Sequence, residues 1–175
     1  QPIYTPEVAP MTMPREELER IVGYLQGQAA QRTLPELIER VREAITELEQ
    51  AARAVPVERF ALRAPGQEWS PKECLEHIVG TNLAVLEQIE TVLAGGTPAE
   101  RGERALPSER DALLELQRKA FEEAAERLAA VDEHARTDVR WRHPFFGDLN
   151  WREWLLFLRI HSRDHARQLP ALLAG

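Results

Sequence analysis

Cysteine is almost missing from this chain. Cys74 stands alone among 175 residues, so no intramolecular disulfide staples the fold. That scarcity suits a reducing compartment, and a cytoplasmic location is the expectation. Long hydrophobic runs are missing as well: no apolar stretch approaches the roughly 20 residues that a membrane-spanning helix needs, which argues against a membrane partner. Gln1 to Pro10 lacks a basic cluster followed by an apolar core, so no secretory or transit signal is read there. An excess of positive charge is also absent. The 22 Lys and Arg face 29 Asp and Glu, for a formal net charge of −7, and the arginines are scattered. Both features argue against nucleic acid as a partner. Finally, no segment sustains the apolar–polar alternation between turn signals that a sheet would require.

What is present reads as helix. The length is enough for one compact domain with a core of its own, and 43% hydrophobic with 29% charged residues is ordinary for a globular chain. After the proline-punctuated arm, Leu18, Ile21, Val22 and Leu25 recur at helical spacing behind Pro14, although Gly23 and Gly27 weaken this first helix. Leu34, Leu37, Ile38, Val41, Ile45 and Leu48 form a clearer stripe that ends before Pro56. Ser70, Pro71 and Glu73 spell a helix start with a capping box, and that helix is predicted to run to Gly95. A polar linker with Gly96, Pro98 and Pro107 follows. Ser108 then opens a helix carrying Leu113, Leu114, Phe121, Ala124, Leu128 and Val131. His143 to Gly147 reads as a loop, after which Asn150 and Glu153 cap the last helix. The expected architecture is all-α: residues 1–33 as an arm and short helix, packed on a four-helix bundle spanning 34–175.

The chemistry concentrates in histidine. His161 and His165 are four residues apart, which places them about 40° apart around a helix axis and roughly 6 Å apart along it. Trp154, Leu158, Leu169 and Leu172 share their side, whereas Arg152, Arg159, Arg163 and Arg167 fall opposite. Both rings are therefore expected to face inward, where they need polar partners or a metal ion. The competing reading is two core histidines bonded to carbonyls or water. His77 flanks the apolar stripe of Cys74, Ile78, Val85, Ile89 and Val92, and it can approach the pair if the two helices pack together.

These residues carry a resemblance. The run Trp69-Ser70-Pro71-Lys72-Glu73-Cys74-Leu75-Glu76-His77-Ile78 is followed by His143-Pro144-Phe145-Phe146-Gly147 and then by His161 through Gln168. In this order the motifs resemble the DinB-like superfamily, from about Leu34 onward. The resemblance implies a four-helix bundle and three metal-binding histidines, carried over here to His77, His161 and His165. It also implies a family containing enzymes that use low-molecular-weight thiols, proteins regarded as metal-dependent hydrolases, and members without a known reaction.

Three neutral imidazoles would leave a divalent ion one position for water or a thiol, as in a catalytic rather than a closed structural site. Zinc and nickel both suit imidazole ligands. Gln168, one turn beyond His165, could orient a ligand or serve as a satisfied buried amide. Asp164 could accept a ring N–H or pair with a surface arginine. Glu73 could support His77, although its cap already explains it. Trp69, Trp151 and Trp154 read as core or helix-end anchors rather than substrate platforms, His143 as solvent-exposed before a turn in preference to reaching the site from its loop, Cys74 as a small core residue rather than a nucleophile, and His134 as having no role. The expected function is a metal-dependent thiol transferase or hydrolase acting on a small molecule. The alternative is a non-catalytic bundle with a structural metal or none. Apolar residues of the first helix, together with Trp151, suggest a homodimer contact.

Overall fold

The computed structural model describes residues 13–98 and 104–174; the arm Gln1 to Pro10 lies outside them. Among the described residues the helices are α1 (Arg15–Gln31), α2 (Leu34–Arg53), α3 (Pro71–Leu93), α4 (Arg110–Leu128) and α5 (Trp151–Ala171). Local chemistry sets most of their starts. Thr33 with Glu36, Ser70 with Glu73, and Asn150 with Glu153 each form a reciprocal capping box that satisfies otherwise orphaned backbone donors. Helix α4 begins later than Ser108 predicts, behind Glu109, which makes no side-chain cap. Helix α3 stops at Leu93 because Gly95 takes a positive φ of 94°, a left-handed conformation that glycine adopts without strain.

The helices meet in the ring order α2, α5, α3, α4. Paired contacts fix their directions. Arg152, at the start of α5, lies by Arg32 just before α2, and Arg163 further along meets Glu47 of α2 at 3.1 Å, so these two helices run parallel. Asn82 meets Gln117 and Glu90 meets Arg127, so α3 and α4 are also parallel. Cys74 faces His165 while Asn82 faces Ser162, which makes α3 and α5 antiparallel. The resulting up-down-down-up order requires a long return between α3 and α4. Arg104 pairs with Glu87 and Leu106 packs beside Gly80, so residues 104–106 lie back along α3.

Apolar stripes from the four helices bury two clusters. One gathers Leu37, Val41, Ile45, Ile89, Phe121 and Leu158; the other gathers Leu48, Cys74, Ile78, Leu113 and Leu169. At about 1.5–3 kcal/mol for each large side chain removed from water, these clusters supply most of the drive for folding.

Three expectations need correction. First, a short antiparallel hairpin, β1 (Trp141–His143) with β2 (Gly147–Leu149), replaces the loop expected there, within a fold that is otherwise helical as expected. Strands of three residues are too short to show alternation. Second, Trp151 is fully buried and donates its indole N–H to the Ala135 carbonyl at 2.7 Å, so it offers no surface for a dimer. Third, Arg152 does not face solvent. Helix α1 covers that side of α5, and the guanidinium, 3% exposed, donates to the carbonyls of Ala29, Arg32 and Glu133.

Candidate metal centre

Antiparallel packing of α3 on α5 brings His77 over His161 and His165. One ligand atom from each of the three lies within 4.8 Å of the others. The rings meet edge to face, with centroids 5.3 Å apart from His77 to either partner and 4.5 Å apart between His161 and His165. The Nε2 atoms of His161 and His165 stand 3.0 Å apart. Zinc–imidazole bonds of about 2.0–2.1 Å in a tetrahedron imply nitrogens roughly 3.3 Å apart, so this pair already has the spacing of two ligands. The donor set therefore fits a divalent ion.

Burial keeps the rings neutral. Desolvation lowers His77 to about 4, with the charge of His165 as a smaller contribution, and it lowers His165 to about 4 as well. His161, wholly enclosed, is pushed well below its ordinary value by burial and then by its neighbouring histidines. Neutral imidazole is the form that carries a lone pair for a cation.

Gln168 orients one ring. Its Oε1 lies 2.6 Å from His165 Nδ1, and because an amide oxygen only accepts, the ring carries its proton at Nδ1 and turns the Nε2 lone pair toward His161. The Cys74 thiol approaches the same oxygen at 3.6 Å and is fully buried. Burial pushes that thiol up to about 12, so it stays protonated and packs as a small core group. Of the two readings for Asp164 the structure shows the surface one: it points outward, its side chain 62% exposed, and pairs with Arg167 at 3.5 Å rather than supporting a ring. Glu73 caps α3 and pairs with Arg63, and His134 sits at the surface by Glu133.

Two aromatic neighbours were not expected at the site. Trp69, partly exposed, packs against His77 at 5.2 Å between ring centroids and stacks near His165 at 6.4 Å. Phe157 stacks on His161 at 5.3 Å. Behind it, His143 is buried rather than solvent-exposed. Its Nδ1 accepts the backbone N–H groups of Phe145 and Phe146, and its ring meets Phe157 at 4.5 Å. The signal for Phe157 was available, since it lies one turn before His161 on α5. Trp69 precedes its helix, where periodicity says nothing about direction. A separate groove of about 710 Å³ between α2 and α4, lined by Leu34, Ile38, Arg42 and Ala125 among others, contains none of the three histidines.

Comparison with known proteins agrees with the helical fold. A family model described as the DinB superfamily matches residues 37–169. A solved structure described as TT2238, a four-helix bundle protein, superposes with a TM-score of 0.55 at 23% identity, covering 79% of this chain and 98% of that one. That likeness concerns the fold. No curated protein matches the chain. No described helix is long and apolar enough to cross a membrane.

Proposed function

This chain belongs to the DinB superfamily, and we propose on that basis that it binds one divalent cation through His77, His161 and His165 and catalyses thiol transfer or hydrolysis on a small molecule. The observation that carries the proposal is the 3.0 Å approach of two neutral, inward-facing imidazole nitrogens beneath a third ring. Zinc and nickel both suit such ligands. When bound, the cation supplies Lewis acidity, lowering the pKa of a water or thiol and polarising an electrophile.

The chain's own residues do the rest. Gln168 holds the His165 ring in the tautomer whose Nε2 lone pair faces the site. Trp69 and Phe157 lie against the histidine rings, so water is displaced from two sides and electrostatic interactions there are strengthened. Cys74, held protonated, is no nucleophile, so thiol chemistry requires an exogenous low-molecular-weight thiol. Its sulfur would attack an electrophilic carbon, the leaving group would depart with its electron pair, and the thiol proton would pass to solvent.

A second reading rests on the same distance. With Nδ1 of His165 protonated, His161 can donate Nε2–H into the His165 Nε2 lone pair, so the pair also suits a metal-free, non-catalytic bundle. Metal analysis of tag-free protein distinguishes the two, followed by a screen for thiol conjugation and ester or amide hydrolysis with zinc or nickel restored. One equivalent of metal and a metal-dependent turnover support the enzyme. Metal-free protein that binds neither ion at micromolar concentration refutes it.

A further inference from the structure

Between the two apolar clusters lies a layer of buried amides and a hydroxyl. Asn82 on α3, Gln117 on α4 and Ser162 on α5 are exposed by 1%, 0% and 0% respectively. The Asn82 amide donates to Gln117 Oε1 at 2.8 Å and to Ser162 Oγ at 3.2 Å, joining three helices at one level. The arrangement is costly: Asn82 Oδ1 and Gln117 Nε2 find no hydrogen-bond partner among the described residues. Turning both amides over exchanges donors for acceptors and still leaves one of each unmatched. Buried polar groups of this kind weaken a core that an apolar set of similar volume would fill without loss.

The sequence around each member shows what that cost secures. One helical turn to either side of Asn82 stand Ile78 and Leu86; of Gln117, Leu113 and Phe121; of Ser162, Leu158 and Ala166. If α5 slid by one turn, about 5.4 Å, Asn82 would face aliphatic carbon and lose its partner on α5. The apolar stripes themselves tolerate such a slide, because Leu and Ile recur along them. On the side of α5 that faces α3 and α4 the layer penalises it, as a single polar core position fixes register in a coiled coil, while the buried Arg152 holds the opposite side. Ser162 adjoins His161 in sequence, so the level it fixes is that of the histidine cluster.

We propose that the Asn82–Gln117–Ser162 layer is a register lock that sets the axial position of α5 against α3 and α4 and so keeps His161 and His165 opposite His77. Its metal consequence rests on the three-histidine reading above; its register consequence does not.

The test compares the full chain with the triple variant Asn82→Leu, Gln117→Leu, Ser162→Ala by three measurements: thermal midpoint, zinc affinity by competition with a chelator, and a spin-label distance between exposed Glu123→Cys on α4 and Arg167→Cys on α5, Cys74 being buried. The lock predicts an unchanged or higher midpoint together with at least tenfold weaker zinc binding and a broadened or shifted distance distribution. A distance distribution as narrow as in the parent, or zinc affinity unchanged beside a parent that binds zinc, overturns it. Failure of the variant to fold also overturns it, since a lock that weakens the core is dispensable for folding. A parent that binds no zinc defeats the three-histidine reading instead, and the distance measurement then decides the lock by itself.

Discussion

His161 Nε2 and His165 Nε2 face one another at 3.0 Å on adjacent turns of one helix, with His165 held from behind by Gln168. Their approach is set by four-residue spacing within α5, and the site draws on the bundle only for His77, while the apolar clusters that hold the bundle together draw on none of the three rings.

Replacing His161, His165 or His77 with Ala should therefore remove metal without removing helix. Zinc affinity should fall by more than the roughly 10–100-fold that a supporting residue carries. Far-ultraviolet circular dichroism should be unchanged, because the apolar clusters remain. Stoichiometry by inductively coupled plasma measurement checks the first statement. Retention of one equivalent in His161→Ala would remove that residue from the ligand set.

Gln168→Leu keeps volume but takes away the acceptor that holds the His165 tautomer. Zinc affinity should drop by about 10–100-fold while the thermal midpoint moves little. Gln168→Glu, a stronger acceptor, should bind at least as tightly as the parent. Equal affinity for the Leu variant would show that the ring orients itself.

How much of this was legible in the sequence follows from where each residue sits. Helices α2, α3 and α5 announce themselves through apolar stripes and cap residues, and four-residue spacing placed His161 and His165 on one face. His77, read on the flank of its stripe, reached the pair because flank positions are where adjacent helices meet. The failures share one cause: burial decided by elements distant in sequence. Arg152 looked outward until α1 covered it, and Trp151 looked spare until residues 133–135 folded over it. His143 looked solvated until a hairpin too short for a periodic signal turned its ring onto Phe157.

Acid should destabilise the metal-free chain in a defined window. Burial lowers His77 and His165 to about 4, below the ordinary histidine value near 6.5, so above that value neither state binds the proton and no stability is at stake. As pH falls from about 6.5 toward 4, the unfolded chain takes up protons that the folded chain refuses, at about 1.4 kcal/mol per pH unit for each. Urea midpoints between pH 7 and 4.5 should decline accordingly, and His77→Gln should flatten the decline. A pH-independent midpoint would mean that the rings titrate normally.

Trp69 should report on the site. Its ring lies 5.2 Å from that of His77, so a paramagnetic ion such as cobalt(II) or nickel(II) bound there should quench its fluorescence, with saturation at one equivalent. Trp69→Phe should abolish most of the change while leaving the emission of the other three tryptophans in place. Quenching that persists in the variant would locate the ion elsewhere.

The Arg152 guanidinium reaches across a boundary that likeness alone would draw. The family match begins at residue 37, beyond α1, yet this cation inside the match is solvated by the carbonyl dipoles of Ala29 and Arg32, which precede it. A fragment trimmed to the matching stretch would discard two of the three carbonyls that solvate the charge, keep that of Glu133, and open the recess to water. The stretch that matches the family and the stretch that solvates its buried charge are thus different lengths of chain, and α1 serves as part of the protein's internal solvent rather than as an appendage.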